Sequence, residues 1–294
     1  MDALLAQLPT AAAIGAVLLL AALGLNFTFG QMGVINMAHG EFIMVGAYTA
    51  FALQSWAGLG GAAVPAALPV AFAVTALLGL ALERGLIWHF YGRPLDTLLL
   101  TFGVSLVLQQ LARDVFGAPN VDVAAPPWLS GGTEVLGVQL HHSRLFIIAL
   151  AAAAVAAIAY YIGRSRSGRF MRAVLHDRNL AATSGIAVGR VDAATFAIGS
   201  GLAGVAGVAL ALIGPIGPSI GTSYIVDAFL VVVIGGLGRL QGAVIAAFAL
   251  GALNAYAELW TDASLAKVVV FAVVIAFLQA RPQGLFTVRT RALA

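Results

Sequence analysis

Apolar residues fill this chain in long blocks near 10–29, 42–57, 62–82, 97–113, 144–163, 193–213, 226–237, 240–259 and 264–280, separated by short polar or glycine-rich stretches. A helix crosses a hydrocarbon core of roughly 30 Å with about 20 apolar residues, and most of these blocks approach that length. Strands of a membrane barrel alternate apolar and polar positions, whereas "ALAAAAVAAIAYYIG" over 149–163 is apolar on every side. The pattern predicts an all-α polytopic integral membrane protein. The block at 226–237 is too short to cross alone and is interrupted by Gly235, Gly236 and Gly238, so 8–10 membrane segments are expected, some broken or re-entrant.

Composition agrees with the pattern. Of 294 residues, 61% are hydrophobic and 9% charged, against about 25% charged in an average soluble protein. The amino terminus "MDALLAQLPT" has no basic residue ahead of its apolar run, so the first span reads as retained rather than as a cleaved signal. Cysteine is absent, which excludes disulfides, thiolate metal sites and thiol catalysis. The net charge of +3 does not point to nucleic acid, because the basic residues cluster beside spans.

Those residues set an orientation. Arg164, Arg166, Arg169, Arg172, Arg178 and Arg190 lie between 164 and 192, while 114–143 has no Lys or Arg and carries Asp114, Asp122 and Glu134. The positive-inside rule puts the first loop in the cytoplasm, with Arg84, Arg93, Arg281, Arg289 and Arg291, and the second outside. Nine crossings with an outer amino terminus satisfy this count. The outer loop's Pro-Pro, Gly-Gly and Trp128 fit an ordered cap or short β excursion as well as a plain connector.

Candidate chemistry is sparse. The chain has no G-x-x-x-x-G-K-[ST] loop, its single lysine being Lys267, so it is not its own ATPase. H-E-x-x-H is missing as well, and no metal site is expected. "GQMGVINMAHGEF" over 30–42 puts Asn36, His39 and Glu41 between apolar runs. A charge at bilayer depth costs about 2.5–3.5 kcal/mol, so Glu41 is expected to face protein, water or a headgroup. Gly30, Gly33 and Gly40 permit an unwound backbone lining a pathway. They equally permit a cytoplasmic turn in which Asn36 and Glu41 cap helices. Asp227 is a further pathway candidate, or an interface residue. A faint echo between 30–46 and 221–236, each with Gly and one acid (Glu41, Asp227), hints at duplicated halves.

The basic loop predicts one short helix over 168–184, ended by Gly185, with Arg172, His176, Asp177 and Arg178 on polar edges and small Ala181 and Ala182 for close approach. It reads as a docking element for another protein or as a topology signal. "VVVIGGLGRLQGAVIAA" over 231–247 predicts a tight reversal at Gly235, Gly236 and Gly238.

"GVINMAHGEFIMVGAY", "RAVLHDRNLAATSGIAVGRVDAATFAIGSGLAGVAGVAL", "VVVIGGLGRLQGAVIAA" and "RPQGLF" together resemble the permease subunits of branched-chain amino acid type ABC importers, over nearly the whole chain. "YGRPLDTLLLTFGVSLVLQQLAR" and "NVDVAAPPWLSGG" look most like the urea-transporting branch. The resemblance implies one transmembrane permease domain over 1–294 in a bacterial inner membrane. It further implies a second permease subunit, two cytoplasmic ATPases that use ATP and a periplasmic solute-binding protein, with no cofactor on this chain. It makes Arg172 to Ile186 the coupling segment, including Gly185 and Ile186, and brings Asn36, His39 and Glu41 near the pathway with Gly40 as a hinge.

Urea is the leading cargo on this likeness and branched-chain amino acids are the alternative. A passive urea channel and an intramembrane hydrolase are the readings from other classes. The arginine-rich loop argues against the channel, and the missing ligand set against the hydrolase.

Overall fold

The computed structural model describes residues 6–135 and 138–286; Arg289 and Arg291 lie outside them. Helices α1 (Leu8–Met32), α2 (His39–Ser55), α3 (Ala63–Gly85) and α4 (Pro94–Phe116) are followed by strands β1 (Gly132–Val135) and β2 (Val138–His141). Then come α5 (His142–Arg164), α6 (Arg166–His176), α7 (Arg178–Thr183), α8 (Val188–Ala211), α9 (Ile220–Gly235), α10 (Leu240–Ala257) and α11 (Ala263–Ala280). Among the described residues, seven helical segments are long and apolar enough to cross a membrane. The apolar α2 and α9 are shorter, at 17 and 16 residues. The nine apolar blocks read from the sequence are thus all helical, and two of those helices are short.

Helices α1 and α8 form the centre, buried round most of their circumference, while α5 and α11 bury only narrow stripes. Small residues set the central spacing. A Cβ on Gly46 of α2 would collide with the backbone of Gly204 on α8, and one on Gly204 would strike Thr75 and the Ala71 carbonyl of α3. Lipid gives helices no hydrophobic reason to associate, so such close backbone approach supplies the dispersion contact that holds α2, α3 and α8 together.

Helix α4 is inside out. Its buried positions are Thr97, Thr101, Ser105, Gln109 and Ala112, whereas Leu95, Leu99, Phe102, Leu106, Leu111 and Val115 are exposed. The polar stripe at i, i+4 spacing faces the bundle and the apolar face is exposed.

The described part of the outer loop carries a short β excursion. Strands β1 and β2 pair antiparallel, Thr133 opposite Leu140. Val121 and Ile216 exchange backbone hydrogen bonds of 2.9 Å, fastening this loop to the segment before α9. Gln54 clamps it from α2, donating to the Ala124 carbonyl at 2.9 Å and accepting from its N–H at 2.8 Å.

The basic loop differs from its expectation of one helix over 168–184. It forms two, α6 and α7, broken at Asp177, whose extended backbone (φ −154°, ψ 110°) caps α7 by accepting from Leu180 N–H at 2.9 Å. Asp prefers this capping role to a helix interior. Gly185 does end the second helix, at φ +83°. Its N–H reaches the Ala182 carbonyl at 3.1 Å and Ile186 N–H reaches Ala181 at 3.0 Å, the paired bonds of a Schellman cap.

Candidate functional site

The stretch after α1 leaves helix at Gly33 (φ +64°) and does not form a surface turn. Val34, Asn36 and Ala38 are buried, and the segment runs back into the bundle. Helix α2 begins where His39 Nε2 lies 3.0 Å from the carbonyl of Ala21, near the midpoint of the 25-residue α1. Unwound backbone at this depth requires protein partners. Thr101 of α4 supplies them, its hydroxyl accepting from Met37 N–H at 3.0 Å and lying 3.3 Å from the Ile35 carbonyl. Asn36 accepts from Ala38 N–H at 3.0 Å, closing a local turn ahead of α2.

Glu41 lies in the first turn of α2 and is 1% exposed. Its Oε1 accepts from Ser105 Oγ and from Gln109 Nε2, both at 2.9 Å. Gln109 Nε2 also reaches Thr222 Oγ1 in the first turn of α9, at 3.0 Å. Gly40 and Gly221 pack backbone to backbone here, each lacking room for a Cβ, and Glu41 Oε2 lies over Gly221 without a hydrogen-bond partner. The carboxylate therefore sits where the amino-terminal ends of two short helices meet. The partial positive charge of those ends favours an anion. One turn outward along the same α2–α4 seam, Val45, Tyr48, Leu108 and Ala112 line an apolar groove of about 630 Å³ that opens to the surface past Trp56 and Val115.

Asp227 is placed elsewhere. It lies 4.0 Å from Lys267 Nζ on α11 and lines a small cavity with Asn254, away from Glu41. Gly235 packs against Gly242, and Gly236 (φ +92°) and Gly238 (φ +71°) form the reversal between α9 and α10. Gly238 N–H donates to Asn26 Oδ1 of α1 at 2.8 Å. These glycines hold a packed turn at the arginine-rich end of the bundle.

At that end, Arg172 and His176 of α6 and Ala182 of α7 are exposed, Ala181 is buried, and Ile186 is half-buried. Arg178 is different. Its Nη2 donates to Asp192 Oδ2 of α8 at 2.5 Å, and its guanidinium stacks over the Tyr91 ring at 5.2 Å. Tyr91 in turn donates to Glu83 Oε1 of α3 at 2.5 Å. Burial, reinforced by the Glu83 carboxylate, raises the Tyr91 phenol above its usual range.

Sequence reasoning singled out Asn36, His39 and Glu41 but missed Thr101 as the support of the unwound backbone, Ser105 and Thr222 around Glu41, and Glu83, Tyr91 and Asp192 around Arg178. The i, i+4 spacing of Thr97, Thr101, Ser105 and Gln109 was the available signal for the first set. The second set joins residues far apart in the chain and had none.

Residues 8–278 match the family described as "Branched-chain amino acid transport system / permease component". The chain is 32% identical to the high-affinity branched-chain amino acid transport system permease protein BraD of Pseudomonas aeruginosa, over 96% of this chain and 95% of the relative. It is also 32% identical to the corresponding protein LivH of Escherichia coli, over 96% of this chain and 94% of the relative. The ribose import permease protein RbsC of Escherichia coli is 31% identical over 72% of this chain and 66% of the relative. No solved structure matches. The urea branch is not among these relatives, and amino acid permeases match over more of the chain than the sugar permease does. With its apolar helices, the chain is a multi-pass inner-membrane transport subunit of an ABC importer rather than an enzyme, and it belongs to the family of branched-chain amino acid transport system permease components.

Proposed function

We propose that this chain is the permease subunit through which branched-chain amino acids enter the cell, paired with a second permease, driven by two separate ATPases and supplied by a solute-binding protein. The observation that carries the reading is the near full-length similarity to BraD and LivH, both named for that cargo. The mid-depth cluster supports it. An amino acid such as leucine has a charged end and an apolar end, and the α2–α4 seam pairs Glu41, with one oxygen unpartnered, with an open apolar groove one turn away. In this reading Asn36, His39 and Glu41 belong to the pathway, and Gly40 allows α2 and α9 to move against each other.

The segment from Arg172 to Ile186 is the ATPase contact in this proposal, with ATP bound and hydrolysed by the partners alone. Exposed Arg172, His176 and Ala182 offer the surface, and the Gly185 cap fixes its shape. Uptake of labelled leucine and labelled urea by the complex reconstituted with its binding protein and ATP tests the cargo. Leucine accumulation supports the proposal; accumulation of urea with none of leucine overturns it and restores the urea reading drawn from the sequence motifs.

A further inference from the structure

Two carboxylates lie buried at the arginine-rich end, with the Arg178 guanidinium paired to one of them. Glu83 of α3 is 1% exposed and Asp192 of α8 is 0% exposed. Each uses one oxygen, Glu83 toward Tyr91 and Asp192 toward Arg178, and the other oxygen of each has no hydrogen-bond partner. Arg178 itself opens α7, and its side chain is 44% exposed. The arrangement therefore has a solvent-facing cation on the short helix and two desolvated anions on the long ones.

We propose that Arg178, Tyr91, Glu83 and Asp192 form a latch that ties α7 to the inner ends of α3 and α8 and transmits its displacement into those spans. The proposal rests on the reading of α6–α7 as the ATPase contact. Withdrawing Arg178 leaves Asp192 buried without its counter-charge and uncovers the Tyr91 ring, so α7 cannot move without either carrying α8 with it or leaving an uncompensated charge. Tyr91 extends the same grip to α3, because the ring that Arg178 covers is fixed by its hydroxyl to Glu83.

What α8 does next follows from its packing. It lies against α2 with the Gly46–Gly204 approach and with Gly207 over the Ile43 carbonyl and Ala47 N–H, contacts too tight to slide without repacking. Helix α2 carries Glu41. Arg178 and Glu41 are thus connected through two rigid helices and two packed interfaces.

The test uses the reconstituted importer with its partner permease, ATPases and binding protein. Co-purification of the ATPases reports docking, and stimulation of ATP hydrolysis by the leucine-loaded binding protein reports transmission. Asp192→Asn, outside the contact segment, is expected to retain the ATPases yet reduce that stimulation by about tenfold, within the usual range of coupling between sites, and Arg178→Gln to reduce it at least as much. Arg178→Lys, which keeps the charge, restores part of it. Tyr91→Phe removes only the bond to Glu83 and keeps the stacked ring, so it is expected to fold and to lower stimulation partially. Stimulation unchanged in Asp192→Asn and Tyr91→Phe, with ATPases bound, overturns the latch. ATPases that fail to bind even the unaltered chain through α6–α7, judged by cross-linking at Arg172, overturn the docking reading instead.

Discussion

The imidazole of His39 reaches the carbonyl of Ala21 at 3.0 Å, halfway along the longest helix of the bundle. That contact fixes where α2 starts. A helix that begins at half depth brings its free N–H groups and positive end into the membrane interior, and α9 begins beside it, with Gly221 against Gly40. Two broken helices meeting at mid-depth are a common basis for solute sites in transporters. They also answer why an apolar chain keeps a carboxylate there: Glu41 has two helix ends, a serine and a glutamine around it.

Replacing Glu41 separates structure from transport. Glu41→Gln keeps the shape and an acceptor for Ser105, so thermal stability is expected to change little, while leucine uptake falls by about tenfold or more, the scale of a charged hydrogen bond worth about 1.5–3 kcal/mol. Glu41→Ala also strands the Ser105 and Gln109 donors, and its unfolding transition is expected to drop by about 1–3 kcal/mol. Normal uptake by the glutamine variant would remove Glu41 from the pathway.

Glycines in this chain are predicted to fall into two classes by what surrounds them. Gly46→Val meets the Gly204 backbone and is expected to destabilise by about 1–3 kcal/mol or more through overpacking. Gly103→Ala on α4 meets nothing within 4 Å and is expected to be neutral or stabilising. Thermal unfolding of the two purified variants checks the contrast, and equal effects would contradict the packing described for α2 and α8.

Much of this was legible in the sequence. Nine apolar blocks became nine helices, seven of them long and apolar enough to cross a membrane, because continuous apolar runs of this length favour helix over strand. Gly185 as a helix stop was legible too, since few residues other than glycine adopt its φ of +83°. The course of 33–38 was not, because a surface turn and a buried unwound segment use the same residues; Thr101, more than sixty positions away, decides between them. The break at Asp177 was missed because a run of good helix formers surrounds it, and only its cap bond to Leu180 N–H reveals the second helix. Asp192 reads as one acid in a basic loop until Arg178 is seen against it.

Asp227 and Lys267 form a looser pair, 4.0 Å apart, with the lysine half-exposed. Such pairs contribute at most about 1 kcal/mol, so Asp227→Asn is expected to alter uptake by less than about fivefold. The double variant with Lys267→Met should add little beyond the single changes. Leucine uptake measured for the three variants checks this, and abolished uptake in Asp227→Asn alone would return Asp227 to the pathway.

Gly185 makes the sharpest prediction for the ATPase contact. At φ +83° a side chain costs about 1–2 kcal/mol, and its removal from the left-handed region breaks the paired cap bonds from Gly185 and Ile186 to Ala182 and Ala181. The cost falls on the short α7 and not on any span, because no atom lies within 4 Å of the missing Cβ. Gly185→Val is therefore expected to insert into the membrane and pair with the second permease as the unaltered chain does, yet to bind the ATPases weakly and lose solute-stimulated ATP hydrolysis. Gly185→Asn, which tolerates the left-handed region better, should recover part of both. Membrane fractionation, co-purification and ATP hydrolysis on the same preparations check the set, and full ATPase stimulation in Gly185→Val would show that the contact does not depend on the shape of this turn.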